Sequence, residues 1–224
     1  MMTRAQAQLD AKPRDAADVA ETPTVYVVAD DPATRDLVST IVVTAGCSVE
    51  TFETGRDFLD HLNGHGPACL ILDVRMPGMG GLAVQVELST RGVTLPVIVI
   101  SGYADVPTAV RALRAGAIDF IEKPFAAERL LEGVRAAIDR DRKARARAAE
   151  RAEIAERIAR LSPRESQVMR RVVAGHTNKE IATDLGVCEK TIEVHRGNVM
   201  RKMKATRLAE LVRFVALIPT ATAE

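Results

Sequence analysis

The sequence has no tryptophan, only three cysteines, and no apolar run approaching the roughly 20 residues that a bilayer-crossing helix requires. No membrane-spanning segment is expected. The first 22 residues, rich in Ala, Asp and Arg, lack the apolar stretch of a secretory leader, so residues 1–22 are read as a loose tail on a cytoplasmic protein. Cys47, Cys69 and Cys188 form no CxxC or metal-ligand spacing, and an odd number cannot close a complete disulfide set. They are read as reduced thiols. His176 and His195 have no Cys or acid partner at ligand spacing, which excludes a zinc reading.

Net charge is also nearly absent, at +1, but the balance is uneven along the chain. Residues 23–138 carry 9 basic and 14 acidic side chains, residues 139–160 carry 8 and 5, and residues 161–224 carry 11 and 7. An acidic front and a basic back indicate two domains with different partners, the back one a candidate for nucleic acid.

In the front part, short apolar runs alternate with amphipathic segments: TVYVVA (24–29), SVETF (48–52), ACLIL (68–72), PVIVIS (96–101) and AIDFIE (117–122). Repeated strand-helix units predict an α/β doubly wound, five-stranded parallel sheet over residues 23–138, with ligands at the carboxyl ends of the strands. From Glu128 the pattern is helical, with Leu131, Val134 and Ile138 at three- and four-residue spacing, and no Gly or Pro interrupts it before Pro163. Residues 139–160 are expected to be a solvated helical linker. Its Ile154, Ile158 and Leu161 could form a dimer seam or pack on the following domain, and packing is preferred because a coiled coil needs several sustained heptads. Beyond it, residues 161–224 read as a small all-α domain of four short helices, Arg164 to Ala174, Thr177 to Leu185, Glu189 to Met203 and Arg207 to Val215. Gly175 and Gly186 serve as stops and Asn178 and Thr206 as N-caps. The segment NKEIATDLGVCEKTIEVH, with small Ala182 and a Gly-containing turn, has the shape of a helix-turn-helix.

The run Cys69-Leu70-Ile71-Leu72 ends on a carboxylate, Asp73, which is costly to bury unless something pairs with it. The first strand leads to Asp30-Asp31, so three carboxylates are expected to converge at one sheet edge, where Mg²⁺ would relieve their repulsion. Ser101 ends the fourth strand, and Lys123-Pro124 follows the fifth. A hydroxyl and an ammonium beside that cluster suit a phosphoryl group carried on a carboxylate.

Asp30-Asp31, Asp73, Ser101-Gly102 and Lys123-Pro124 together resemble the pattern of a CheY-type receiver domain over residues 24–138. The resemblance implies that Asp73 accepts phosphate from a sensor histidine kinase. It also implies that Asp31, Asp73 and the Arg75 carbonyl hold Mg²⁺, with Asp30 acting through water, that Lys123 bridges to the phosphoryl group, and that the Lys123–Pro124 bond is cis. Ser101 and Phe120 match the switch pair; Phe120 departs mildly from the more usual Tyr or His and could equally be a packed core residue. Arg75 and Tyr103, two residues beyond Asp73 and Ser101, occupy positions that can shield or admit hydrolytic water, or simply lie on exposed loops.

The stretch from Leu161 onward, with LSPRESQVMRRVVAGHTNKEIATDLGVCEKTIEVHRGNVMRKM, resembles a LuxR-type helix-turn-helix, and the whole chain is similar to a NarL/FixJ-type response regulator. This implies a dimeric, sequence-specific DNA-binding transcription regulator, with RNA polymerase a further partner. On the Glu189–Met203 helix, Glu193, Val194 and Gly197 can approach base edges, while Lys190, Thr191, His195, Arg196, Asn198, Arg201 and Lys202 can reach phosphates or adjacent bases. Glu193 needs a cytosine amino group or an internal cation. Cys188, at the N-cap where Ser is usual, is read as a neutral substitution rather than a redox site. An Asp-nucleophile phosphatase is disfavoured because position 75, where a second acid is needed, holds Arg; independent enzymatic function is not expected. A third reading keeps DNA binding but makes the front domain a phosphate-insensitive dimerisation module.

Overall fold

A computed structural model describes residues 22–62, 66–103 and 105–218. The expected tail, residues 1–22, lies outside the described residues but for Thr22. The chain divides into two compact units between Arg142 and Lys143.

In the first unit, β1 (Thr24–Val28), β2 (Ser48–Phe52), β3 (Ala68–Asp73), β4 (Val97–Ser101) and β5 (Asp119–Glu122) form one parallel sheet in the order β2-β1-β3-β4-β5. The expected doubly wound fold is present, with a topological switch between β1 and β3. Side-chain alternation decides how the two faces are covered. Tyr26, Val28, Leu70, Leu72, Val97 and Val99 point into one cluster with Phe58, Val84, Leu88 and Ala112 from α2 (Gly55–His61), α3 (Gly81–Thr90) and α4 (Val106–Arg114). Val25, Val27, Cys69, Ile71, Ile98 and Ile100 point into the other, with Val38 and Val42 from α1 (Pro32–Val43) and Leu130 and Val134 from α5 (Ala127–Ala159). Burial on both faces explains why β3 reads as an unbroken apolar run rather than an alternating one.

Helix α5 continues through the expected linker to Ala159. Near its middle, Asp141 is 3% exposed and accepts a hydrogen bond from the Ala68 amide at 2.9 Å, satisfying the first donor of β3. In the second unit, α6 (Pro163–Val173), α7 (Asn178–Leu185), α8 (Glu189–Met203) and α9 (Leu208–Ala216) enclose Val168, Met169, Ile181, Ile192, Val199, Met203 and Leu211. Ile154 and Leu161 are buried in the same cluster and Ile158 packs against it, so these residues take the packing role, not the seam.

Two expected caps move. The α7 N-cap is Thr177, not Asn178: its hydroxyl accepts from the Glu180 amide while the Glu180 carboxylate accepts from the Thr177 amide, a reciprocal box that Asn178 one residue on cannot make. Arg207, not Thr206, holds the cap position of α9; the Thr206 amide and hydroxyl both donate to Glu210.

Gly81 opens α3 against the end of β3. A Cβ there would collide with the Asp73 carbonyl oxygen and come within 3.1 Å of Leu72 Cγ. Gly81→Ala is expected to lower stability by about 1–3 kcal/mol through this overpacking, read as a lower urea midpoint at unchanged slope.

Candidate functional site

The parallel register pairs Val28 with Leu72, so the chain leaving β1 runs beside Asp73 at the switch point. Asp73 closes β3 at 5% exposure. The Lys123 ammonium lies 2.5 Å from Asp73 Oδ2, and the Arg75 amide donates to Asp73 Oδ1 at 3.1 Å. Lys123 is held by its own amide, which donates to the Ser101 carbonyl at 2.8 Å, and the Lys123–Pro124 bond that follows is cis. The resemblance implied that bond, and the structure contains it.

Lys123 Nζ also donates to Thr34 Oγ1 at 3.0 Å, and Thr34 Oγ1 donates to Asp31 Oδ2 at 2.7 Å. Thr34 is absent from the sequence reading. Its signal was present as the third residue after an N-cap Asp, a spacing that places a first-turn side chain beside the capping carboxylate. The result is a polar chain, Asp73–Lys123–Thr34–Asp31, that ties the ends of β1, β3 and β5 together. Arg35 supports it by donating to the Ala29 and Asp30 carbonyls at 2.6 and 2.9 Å.

Among the described residues, no three acidic, His or Cys side chains gather as a metal-holding group. Asp31 is the α1 N-cap, accepting from the Ala33 amide at Oδ1 (3.2 Å) and the Thr34 amide at Oδ2 (3.0 Å). The Thr34 hydroxyl and amide hold its carboxyl below the usual aspartate value. The oxygens present still suit a hard cation. Each carboxylate offers about four acceptor positions; Asp31 uses three and Asp73 two in these bonds, leaving charged oxygen donors on both.

Ser101 is 1% exposed, and its hydroxyl does not reach the carboxylates. It donates to the Tyr103 carbonyl at 2.9 Å and accepts from the Tyr103 amide at 3.2 Å. Phe120 is half-buried against the cluster under α2, α3 and α4.

In the second unit, α8 presents an exposed stripe of Lys190, Glu193, Val194, Gly197 and Arg201 at helical spacing. Glu193 has its internal cation, Lys190, at 3.1 Å. Val194 is 58% exposed, and a Cβ on Gly197 would meet nothing within 4 Å, so neither residue type is dictated by packing. Thr191, His195, Arg196, Asn198 and Lys202 flank the stripe, half-buried. Several of these already have partners: Arg196 donates to Asn178 Oδ1 at 2.6 Å, and Asn198 Oδ1 accepts from Arg201 at 3.0 Å. Cys188 lies exposed at the N-cap, where its thiol is 3.2 Å from the Thr191 hydroxyl; that contact holds its pKa below the usual thiol value.

Lys202 has a structural task that the sequence reading missed. Its ammonium sits 2.6 Å from the buried Glu165 carboxylate, which also accepts from the Ser162 amide at 2.7 Å and caps α6. This pair joins α8 to the start of α6. Lys202 and the Ser162 amide hold the Glu165 carboxyl below its usual value of 4.5. A lowered folded pKa contributes stability that is complete above the unfolded value and is lost as pH falls through the folded one. Glu165→Gln is therefore expected to flatten the fall in melting temperature between pH about 5 and about 3, measured by circular dichroism, while lowering stability at neutral pH.

Comparison with known proteins gives two family matches: the response regulator receiver domain over residues 25–135, and the luxR family of bacterial regulatory proteins over residues 159–215. The response regulator protein TodT of Pseudomonas putida is 44% identical over 189 residues, spanning 84% of this chain and 83% of that one. The transcriptional regulatory protein FixJ of Bradyrhizobium diazoefficiens is 42% identical, spanning 84% of this chain and 92% of FixJ. Among solved structures, the response regulator StyR superposes with a TM-score of 0.79 at 37% identity, covering 87% of this chain and 98% of that one. Full-length FixJ from B. japonicum gives 0.54 at 41% identity, covering 88% and 97%. Among the described residues, no helix is long and apolar enough to cross a membrane. With the receiver architecture in the first unit and the helix-turn-helix in the second, the chain belongs to the two-component response regulators of the NarL/FixJ type, a receiver domain followed by a LuxR-type DNA-binding domain.

Proposed function

We propose that Asp73 is the phosphoacceptor of this response regulator and that its phosphorylation by a sensor histidine kinase controls DNA binding through α8. The observation that carries the reading is the Asp73–Lys123 pair at the switch point, continued through Thr34 to Asp31. A buried carboxylate held at 2.5 Å from a lysine is oriented as a nucleophile with a cation beside it. An Asp73 oxygen attacks the phosphorus of the kinase's phosphohistidine; the O–P bond forms, the N–P bond breaks, and the nitrogen leaves with its electron pair. Lys123 then pairs with the phosphoryl oxygens, and the Arg75 amide retains the acceptor carboxylate. Asp31, Asp73 and the Arg75 carbonyl would hold Mg²⁺, with Asp30 reached through water. When bound, that ion neutralises phosphoryl charge.

Ser101 is the switch hydroxyl, leaving the Tyr103 main chain to donate to the phosphoryl group, and Phe120 follows it inward. In the second domain, the exposed stripe of α8 faces the major groove. Val194 suits a thymine methyl, Lys190 and Arg201 reach phosphates, and Thr191, His195, Arg196 and Asn198 lie at the groove edges. Lys202 acts through Glu165 as a brace. The active form is a homodimer working in the cytoplasm with RNA polymerase as its further partner. The chain is a transcription regulator and not a classical enzyme. Arg75, where a phosphatase needs a second acid, counts against hydrolase chemistry.

With a phosphoryl donor and Mg²⁺, wild-type protein is expected to bind target-site DNA more tightly and to dimerise, and Asp73→Ala to do neither, read by titration with light scattering. Equal binding by both proteins, with the wild type demonstrably phosphorylated, would instead support a constitutive DNA-binding regulator. Gly197→Ala separates folding from recognition. Replacing a mid-helix glycine whose Cβ site is open is expected to raise stability by about 0.5–1 kcal/mol, while the added methyl weakens DNA binding by blocking close approach.

A further inference from the structure

The two loops that flank Asp73 are joined by a contact that the phosphoacceptor reading leaves without a task. The Arg75 guanidinium carbon lies 4.0 Å from the centre of the Tyr103 ring. Tyr103 is 65% exposed, so little packing holds that ring apart from the guanidinium. Its main chain is committed on both sides to one atom: the amide donates to Ser101 Oγ at 3.2 Å, and the carbonyl accepts from the same hydroxyl at 2.9 Å. The other end of Arg75 is anchored at the acceptor, through its amide on Asp73 Oδ1 at 3.1 Å. The contacts therefore run in a line from acceptor to switch: Asp73, Arg75 main chain, Arg75 guanidinium, Tyr103 ring, Tyr103 main chain, Ser101 hydroxyl.

We propose that the Arg75–Tyr103 stack is a resting-state latch: it holds the Tyr103 main chain against the Ser101 hydroxyl and so keeps that hydroxyl from Asp73 until a phosphoryl group draws the guanidinium away. This rests on Asp73 being the phosphoacceptor. A phosphoryl group brings a charge of about −1.5 to −2 and acceptor oxygens arranged for a guanidinium fork, whereas an exposed aromatic face offers only a weak, partly solvated attraction. New charge at Asp73 thus competes for Arg75, frees Tyr103 and opens the turn around Ser101. Arg75 is a positioning residue in this scheme, acting on Ser101 through Tyr103. A stack at an exposed site shifts a two-state equilibrium by about two- to five-fold.

The test uses the full chain labelled with ¹⁵N, beryllofluoride with Mg²⁺ as the phosphoryl mimic, and hydrogen exchange of the residue-103 amide as the report on the turn. Arg75→Ala is expected to speed exchange of that amide about two- to five-fold in the resting protein while leaving the Thr34 amide, on the Asp31 cap, at its wild-type rate. Tyr103→Phe keeps the ring and is expected to match wild type. Tyr103→Ala, which frees the guanidinium, is expected to lower the half-saturating beryllofluoride concentration about two- to five-fold, whereas Arg75→Ala, which removes the latch together with the cation that the phosphoryl group attracts, gains nothing. Wild-type exchange in Arg75→Ala, or a wild-type half-saturation in Tyr103→Ala, overturns the latch while leaving the phosphoacceptor in place. No response of wild-type protein to beryllofluoride overturns the phosphoacceptor reading and the latch with it.

Discussion

A buried carboxylate must be compensated, and the pairing of Asp73 with Lys123 meets that requirement across three strands. Asp73 ends β3 and Lys123 follows β5, with β4 between them. Nothing near in sequence could bring them together, because 50 residues separate them. The parallel sheet does so by aligning the carboxyl ends of its strands on one edge. The same alignment brings the β1–α1 turn alongside, where Thr34 and Asp31 extend the polar chain. Gly81 packs on the Asp73 carbonyl, and β3 is buried along its whole length.

The second domain solves a similar problem with a different fold. Its buried acid, Glu165, caps α6 and takes its cation from Lys202 near the end of α8. The recognition helix is therefore fastened by one of its own basic residues, and the charges left on its outward face are fewer than its sequence suggests. That face is nearly balanced, since Lys190 is matched to Glu193. Affinity for a polyanion then depends on a small number of exposed cations, while Val194 and Gly197 give the surface its shape.

The doubly wound sheet was legible because both signals it depends on are local: apolar runs of strand length, and helical spacing between them. Strand boundaries agreed within two residues, and the second strand and the recognition helix agreed end to end. That Asp73, Lys123 and Asp31 lie at one edge was legible from their order and chemistry. The way Asp31 joins that edge was not, because its bonds to the Thr34 hydroxyl and to two first-turn amides form only once α1 is in place. The α7 cap was misplaced by one residue because Thr177 and Asn178 are both good caps, and only the reciprocal bond with Glu180 distinguishes them.

By itself, the sequence determined the two-domain α/β-then-α organisation, the acidic and basic division between them, and the presence of acidic, hydroxyl and ammonium groups at the carboxyl ends of the strands, since hydrophobic periodicity and residue chemistry act over a few neighbours. Tertiary structure alone decided which side chains meet. Thr34 joins Lys123 across 89 residues, Lys202 belongs to Glu165 and not to the outer face of α8, and Arg75 meets Tyr103 on a neighbouring loop. These pairings depend on sheet order and helix packing, which bring together side chains too far apart in sequence for any local pattern to connect.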